Sequence, residues 1–138
     1  MCLFCQIVAG EVPAHVVLDE ERTLAFLDIR PLFPGHTLLV PKHHHETLSD
    51  LPADLIEPVF GTARRLAQAV QAAASADGSL IVINNKVSQS VPHLHLHLVP
   101  RRFHDGLRGF LWPRKPYPDE SSAEKVAAGI RAALREQQ

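Results

Sequence analysis

Large and reactive side chains are scarce in this 138-residue chain, which has one Met, one Trp, one Tyr and two Cys. Two cysteines cannot build a disulfide-stapled scaffold. Cys2 and Cys5 stand three apart and read as thiols held reduced, with a metal as one way of holding them. An excess of one charge is also missing: 14 Lys and Arg face 15 Asp and Glu, for a net charge of −1. That balance excludes general affinity for nucleic acid or acidic membranes. No run approaches the roughly 20 apolar residues of a membrane span. The opening residues have neither a basic stretch nor an apolar run of signal-peptide type, so a cytoplasmic location is expected. Repeats, low-complexity tracts and Gly/Ser linkers are absent, which leaves a single domain over residues 1–138. With 46% apolar and 21% charged residues, a chain of this size buries roughly two-thirds of its unfolded surface.

What is present is patterned. Leu3 to Val8 predicts one or two helical turns ending at Gly10. His15 to Asp19 and Leu24 to Ile29 predict a hairpin around the charged turn 19–22. Pro31, Pro34 and Gly35 mark a loop, and Thr37 to Val40 a buried strand stopped by Pro41. Leu55, Ile56, Val59, Phe60, Ala63, Leu66, Ala67 and Val70 recur at helical spacing, which predicts a core-facing helix over 53–75. Ser49 and Asp50 offer caps for it, Pro52 suits its first turn, and Asp77-Gly78 closes it. Leu80 to Ile83 and His93 to Val99 read as strands. Four prolines make 100–120 irregular, and Ser121 with Glu124 fits a capping box for a last helix. The class is α+β: strands joined by hairpins, one long helix and short terminal helices.

Histidine is the exception to scarcity, with nine copies. Residues 93–98 read His-Leu-His-Leu-His-Leu. On a strand His93, His95 and His97 share one face and Leu94, Leu96 and Leu98 the other. The leucines belong to the core, but core packing has no use for three imidazoles in a row. Three readings are open. The face is a chance polar one, the three rings bind one catalytic metal, or they divide labour as nucleophile, leaving-group partner and structural ring. The metal reading is strained, because side chains two apart on a strand start nearly 7 Å apart.

Residues 90–99 resemble the signature of the histidine triad (HIT) superfamily, His-φ-His-φ-His-φ-φ with φ apolar. The segments Leu24 to Pro31, Pro34 to Lys42 and Cys2 to Pro13 are similar to it as well, so the resemblance covers about residues 2–105. It implies a HIT-like antiparallel sheet of about five strands with one long helix. The core would span 2–105, and 106–138 would be a Pro-rich tail with a C-terminal helix. It also implies hydrolysis or transfer of a nucleoside monophosphate group, AMP first among them, from an adenylate, a phosphoramidate or a dinucleoside polyphosphate.

In that scheme His95 attacks the α-phosphorus and forms a nucleotidyl-histidine, which water releases. Neutral imidazole is a competent nucleophile near pH 7. His97 contacts the leaving group and supplies its proton. Ser90 lies near the phosphate, and His36 borders the triad. Asn84 or Asn85, together with Gln89, donates to phosphoryl oxygens. Asp28 accepts from both ribose hydroxyls. Phe4, Ile7, Phe26 and Ile29 sandwich the base, although by periodicity alone they read as core.

The resemblance further implies a closed structural zinc site of Cys2, Cys5, His44 and His93, with His43 or His45 as substitutes for His44. A purine nucleotide is the expected ligand, and a homodimer the expected assembly, with the Trp112 segment reaching a partner's pocket. His97 stands where the transferase branch carries Gln, which favours hydrolysis. No nucleic-acid partner is expected. The alternative is a nucleotide-binding regulatory module with incidental catalysis, and a zinc-storage protein is a third possibility.

Overall fold

The computed structural model describes residues 2–107 and 114–137. The chain divides into two compact units, Met1–Asp105 and Gly106–Gln138. In the first unit, α1 (Leu3–Val8) is followed by β1 (Val16–Asp19), β2 (Thr23–Leu27), β3 (Thr37–Pro41), α2 (Ala53–Ala73), β4 (Gly78–Ile83) and β5 (Leu96–Arg101). The strands form one antiparallel sheet in the order β1-β2-β3-β5-β4.

Alternation decides which residue meets which layer. Ala25, Leu39, Leu96 and Leu98 point to one face and bury against Leu55, Val59, Ala63 and Leu66 of α2. Leu24, Phe26, Leu38 and Val40 point to the other face and bury with Phe4 of α1. His97 is paired with Leu38 in the β3–β5 ladder and so belongs to this second face.

The long helix carries Pro58 in its interior. Proline has no N–H for the carbonyl four residues back. That carbonyl, of Asp54, instead accepts from the Arg22 guanidinium at 3.4 Å, and the same guanidinium pairs with the Asp54 carboxylate at 2.8 Å. Asp50 does not cap α2; it closes a capping box with Thr47 around the 3-10 turn Leu48–Asp50, and α2 starts after Pro52. The helix ends at Ala73 rather than at Asp77-Gly78. Ser75, at φ 51°, turns the chain, and Gly78 already opens β4.

The triad strand is shorter than expected. The ladder begins at Leu96, not His93. Continuing the β3–β5 register would set Pro41, which has no N–H, against Leu94. Instead the Leu94 N–H goes to the His45 carbonyl at 2.6 Å and the His93 N–H to the Val91 carbonyl at 2.8 Å. The side chains still alternate, because Leu94, Leu96 and Leu98 are all fully buried.

The second unit carries α3 (Glu120–Glu136). Asp119 caps it by accepting from the Ser122 N–H at 2.7 Å, in place of the expected Ser121/Glu124 box. Val126, Ile130 and Leu134 are exposed along it. Trp112 lies outside the described residues. No helix among the described residues is long and apolar enough to cross a membrane.

Candidate active site

Backbone carbonyls fix the tautomers of two rings of the triad. His95 Nδ1 lies 2.7 Å from the His93 carbonyl oxygen. A carbonyl only accepts, so Nδ1 carries the proton and Nε2 of the neutral ring is a lone pair. Among the described residues nothing bonds that Nε2, and no buried side-chain nitrogen or oxygen lacks a partner. The small exposed part of this otherwise buried ring therefore includes Nε2. His93 is set the same way. Its Nε2–H donates to the Pro41 carbonyl at 2.9 Å, which leaves Nδ1 as a lone pair.

His97 is set by another histidine. The Leu32 N–H donates to His36 Nδ1 at 3.1 Å. His36 must then carry its proton on Nε2, 3.0 Å from His97 Nδ1. His97 accepts there, and its own proton sits on Nε2. The rings of His95 and His97 lie 4.9 Å apart.

Charge on these rings is disfavoured. Burial lowers His36, with Asp28 opposing. Burial also lowers His95, against its bond to the His93 carbonyl and the Asp28 carboxylate. His97 is pushed down to about 4, first by burial, then by His95 and His36. All three rings are neutral at pH 7.

Asp28 follows β2 directly. Its Oδ1 accepts the Arg30 N–H at 2.8 Å, and its Oδ2 is 3.6 Å from His36 Nε2. Asn84 and Asn85 part company. Asn85 Oδ1 accepts the Leu48 N–H at 2.8 Å, whereas the Asn84 amide has no partner among the described residues. Gln89 is engaged at both ends of its amide: Oε1 accepts from the Lys86 N–H at 2.9 Å and Nε2 donates to the Glu46 carbonyl at 2.6 Å. It serves its own loop first and keeps one amide hydrogen over. Ser90 is exposed.

Two of the four residues expected to sandwich the base, Phe4 and Phe26, lie in the cluster between α1 and the sheet. Both rings are core, 5% and 3% exposed. Phe4 meets Phe26 edge-on at 5.4 Å and His95 edge-on at 4.9 Å, so its ring backs the His95 imidazole. Ile7 packs at the rim of this cluster, and Ile29 is 84% exposed on the loop after β2.

Cys2, Cys5, His44 and His93 converge, with one donor atom of each within 4.8 Å of all the others. Cys2 Sγ and Cys5 Sγ lie 3.4 and 3.6 Å from His93 Nδ1, and His44 Nδ1 lies 3.4 Å from Cys5 Sγ. A tetrahedral zinc with its usual bonds sets sulfur and nitrogen about 3.5 Å apart. His93 offers its lone-pair nitrogen to this cluster, and the Pro41 carbonyl holds the other nitrogen as the outer partner metal-bound histidines favour. Burial and the neighbouring Cys2 raise the Cys5 thiol. A metal would reverse that shift by deprotonating the thiol. The four residues fit zinc. The contribution of Leu32, Pro41 and His45 was not legible in the sequence, because each acts through its backbone.

A single open sheet, with a buried histidine presenting a bare nitrogen above it, is the site of a histidine triad protein. The HIT domain family matches residues 9–104, and the chain belongs to that family. It is similar to an uncharacterized HIT-like protein of Mycobacterium tuberculosis, 38% identical over 99% of this chain and 94% of that one. An adenosine 5'-monophosphoramidase of Saccharomyces cerevisiae is 36% identical over 81% of this chain and 70% of its own. Among solved structures, a zinc-bound histidine triad family protein from Mycobacterium smegmatis is 38% identical, covers 96% of each chain and superposes with a TM-score of 0.73.

Proposed function

We propose that this protein is a nucleotide hydrolase. It would cleave a nucleoside monophosphate, AMP first among them, from an adenylate, a phosphoramidate or a dinucleoside polyphosphate. The observation that carries the reading is the His95 ring, held by its Nδ1–H on the His93 carbonyl at 2.7 Å with Nε2 bare. The phosphoramidase activity named for the yeast relative supports the substrate class.

The Nε2 lone pair of His95 forms a bond to the α-phosphorus, and the bond from phosphorus to the leaving atom breaks, its electron pair going with that atom. A phosphate or carboxylate leaves as the anion, and an amine takes one proton from solvent. Water then cleaves the phosphorus–nitrogen bond to His95. His97 attends the leaving atom. Ser90, Asn84 and the remaining hydrogen of Gln89 serve the phosphoryl oxygens. Asp28 takes the ribose hydroxyls, and Phe4, Ile7, Phe26 and Ile29 border the base.

Zinc bound by Cys2, Cys5, His44 and His93 would be structural, tying α1 to the residue whose carbonyl orients the nucleophile. The resemblance to HIT proteins also favours a homodimer, and the edge strand β4 and α2 leave Ile81, Ile56 and Phe60 exposed for it. Light scattering of the purified protein tests that point.

Intact-mass spectrometry after brief mixing with adenosine 5'-phosphoramidate or an acyl adenylate tests the chemistry. The expected result is a transient adduct of one AMP. In His95→Ala the adduct is absent and turnover falls by at least about 10³-fold. Wild-type turnover by that variant overturns the reading.

A further inference from the structure

His36 is gripped from three sides by the loop it closes. Its N–H donates to the Phe33 carbonyl at 3.0 Å, and its carbonyl accepts from the Asp28 N–H at 2.9 Å. Its Nδ1 accepts from the Leu32 N–H at 3.1 Å. Only Nε2 is left to face the site, 3.0 Å from His97 Nδ1 and 3.6 Å from Asp28 Oδ2.

Asp28, His36 and His97 bring donor atoms within 4.8 Å of one another, a spacing that a divalent ion also favours. The tautomers argue otherwise. A metal on His36 Nε2 requires a lone pair there, and a neutral imidazole has one lone pair, which the Leu32 N–H already occupies at Nδ1. The cluster is a directed chain of hydrogen bonds.

We propose that the backbone N–H of Leu32, acting through His36, holds His97 as its Nε2–H tautomer and so makes His97 a neutral hydrogen-bond donor to the atom leaving phosphorus. The inference deepens the hydrolase reading and rests on it for the identity of the acceptor. Leu32 and His36 are positioning residues. His97 keeps its proton throughout: the phosphorus–nitrogen or phosphorus–oxygen pair goes to the leaving atom, and an amine takes its proton from water. A fixed N–H helps most where charge concentrates on the leaving atom. An alkylamine or alkoxide depends on it, and a nitrophenolate, which spreads its charge over a ring, barely does. Burial, which keeps His97 uncharged at pH 7, agrees with this role.

The test compares two substrates that differ only in the leaving group, an alkylamine phosphoramidate of AMP and the p-nitrophenyl ester of AMP. Leu32→Pro deletes the N–H and no side-chain chemistry. We expect kcat for the phosphoramidate to fall about tenfold, the worth of roughly one hydrogen bond, and kcat for the ester to change less than twofold. His36→Phe, which lacks the donor, should show the same split. His36→Gln offers an amide donor with no tautomer to choose, so it should restore the phosphoramidate rate, and adding Leu32→Pro to it should change nothing further. Nitrogen-15 NMR of histidine-labelled wild type at pH 7 should find His97 unprotonated at Nδ1 and protonated at Nε2, and an averaged pair in His36→Phe. Equal losses on both substrates overturn the proposal, as does His97 found as the Nδ1–H tautomer or as a cation. If wild type turns over neither substrate, the hydrolase reading fails, and the NMR tautomer still decides the chain of bonds. If Leu32→Pro does not fold, the His36 pair decides it.

Discussion

The carbonyl oxygen of His93 lies 2.7 Å from Nδ1 of His95, while the His93 ring turns its own Nδ1 toward Cys2 and Cys5. One residue thus joins the cysteine cluster to the tautomer of the neighbouring ring. Pulling on the cluster pulls on the orientation of His95.

Metal removal is therefore expected to affect stability and rate together. Elemental analysis should find one zinc per chain, and none in Cys5→Ser. Loss of about 3 kcal/mol of metal-linked stability lowers Tm by roughly 10 °C in a chain of this size. The adduct on His95 should form several-fold more slowly in the metal-free protein. An unchanged Tm after chelation would remove zinc from the fold.

Acid should destabilise the protein through its buried rings. His97 is held at about 4 by burial and by its histidine neighbours, and His36, His93 and His95 are shifted the same way by burial. An unfolded histidine titrates near 6.5. The folded value lies below the unfolded one, so the stabilisation is complete above about pH 6.5 and is lost as pH falls toward 4. A Tm series should be flat between pH 7 and 8 and decline steadily below 6.5. A Tm that rises on acidification would contradict neutral, buried rings.

Asp28 keeps one carboxylate oxygen on the Arg30 N–H and turns the other toward the site. Asp28→Asn preserves the first contact and weakens the second. KM for adenosine phosphoramidate should rise about tenfold with kcat nearly unchanged, and preference for ribose over 2'-deoxyribose should shrink. A loss confined to kcat would place Asp28 in the chemistry instead.

Gly35 sits at φ +102°, and a Cβ there would lie 3.3 Å from Pro100 Cγ. Gly35→Ala should cost about 1–3 kcal/mol. It also strains the turn that holds His36, so phosphoramidate turnover should drop along with Tm. A melt within a degree of wild type would show that the turn relaxes freely.

The layers of the sheet were readable because burial follows period. The alternation at 94–98 and the helical stripe of 55–70 are local patterns; Leu94, Leu96, Leu98, Leu55, Val59, Ala63 and Leu66 reached the core as expected, whereas Ile56 and Phe60 at the edge of the stripe stayed exposed. Cys2, Cys5, His44 and His93 could be grouped through resemblance. The resemblance put His44 ahead of His43 and His45 by its position after Pro41-Lys42, and its ring lies 3.4 Å from Cys5 Sγ. Phe4 and Phe26 show the limit. Local spacing does not say that the Phe4 ring meets Phe26 and backs the His95 imidazole; the packing of α1 on the sheet brings them together, at 5.4 and 4.9 Å.

The order of residues alone determined the family, the side of the sheet each triad ring would occupy, and the chemistry those rings offer, since these depend on neighbours along the chain. Which nitrogen bears the proton in the His93 and His97 rings was decided by the tertiary structure. The Pro41 carbonyl meets His93 across 52 residues and His36 meets His97 across 61, and groups brought together over such distances leave no mark on the local pattern.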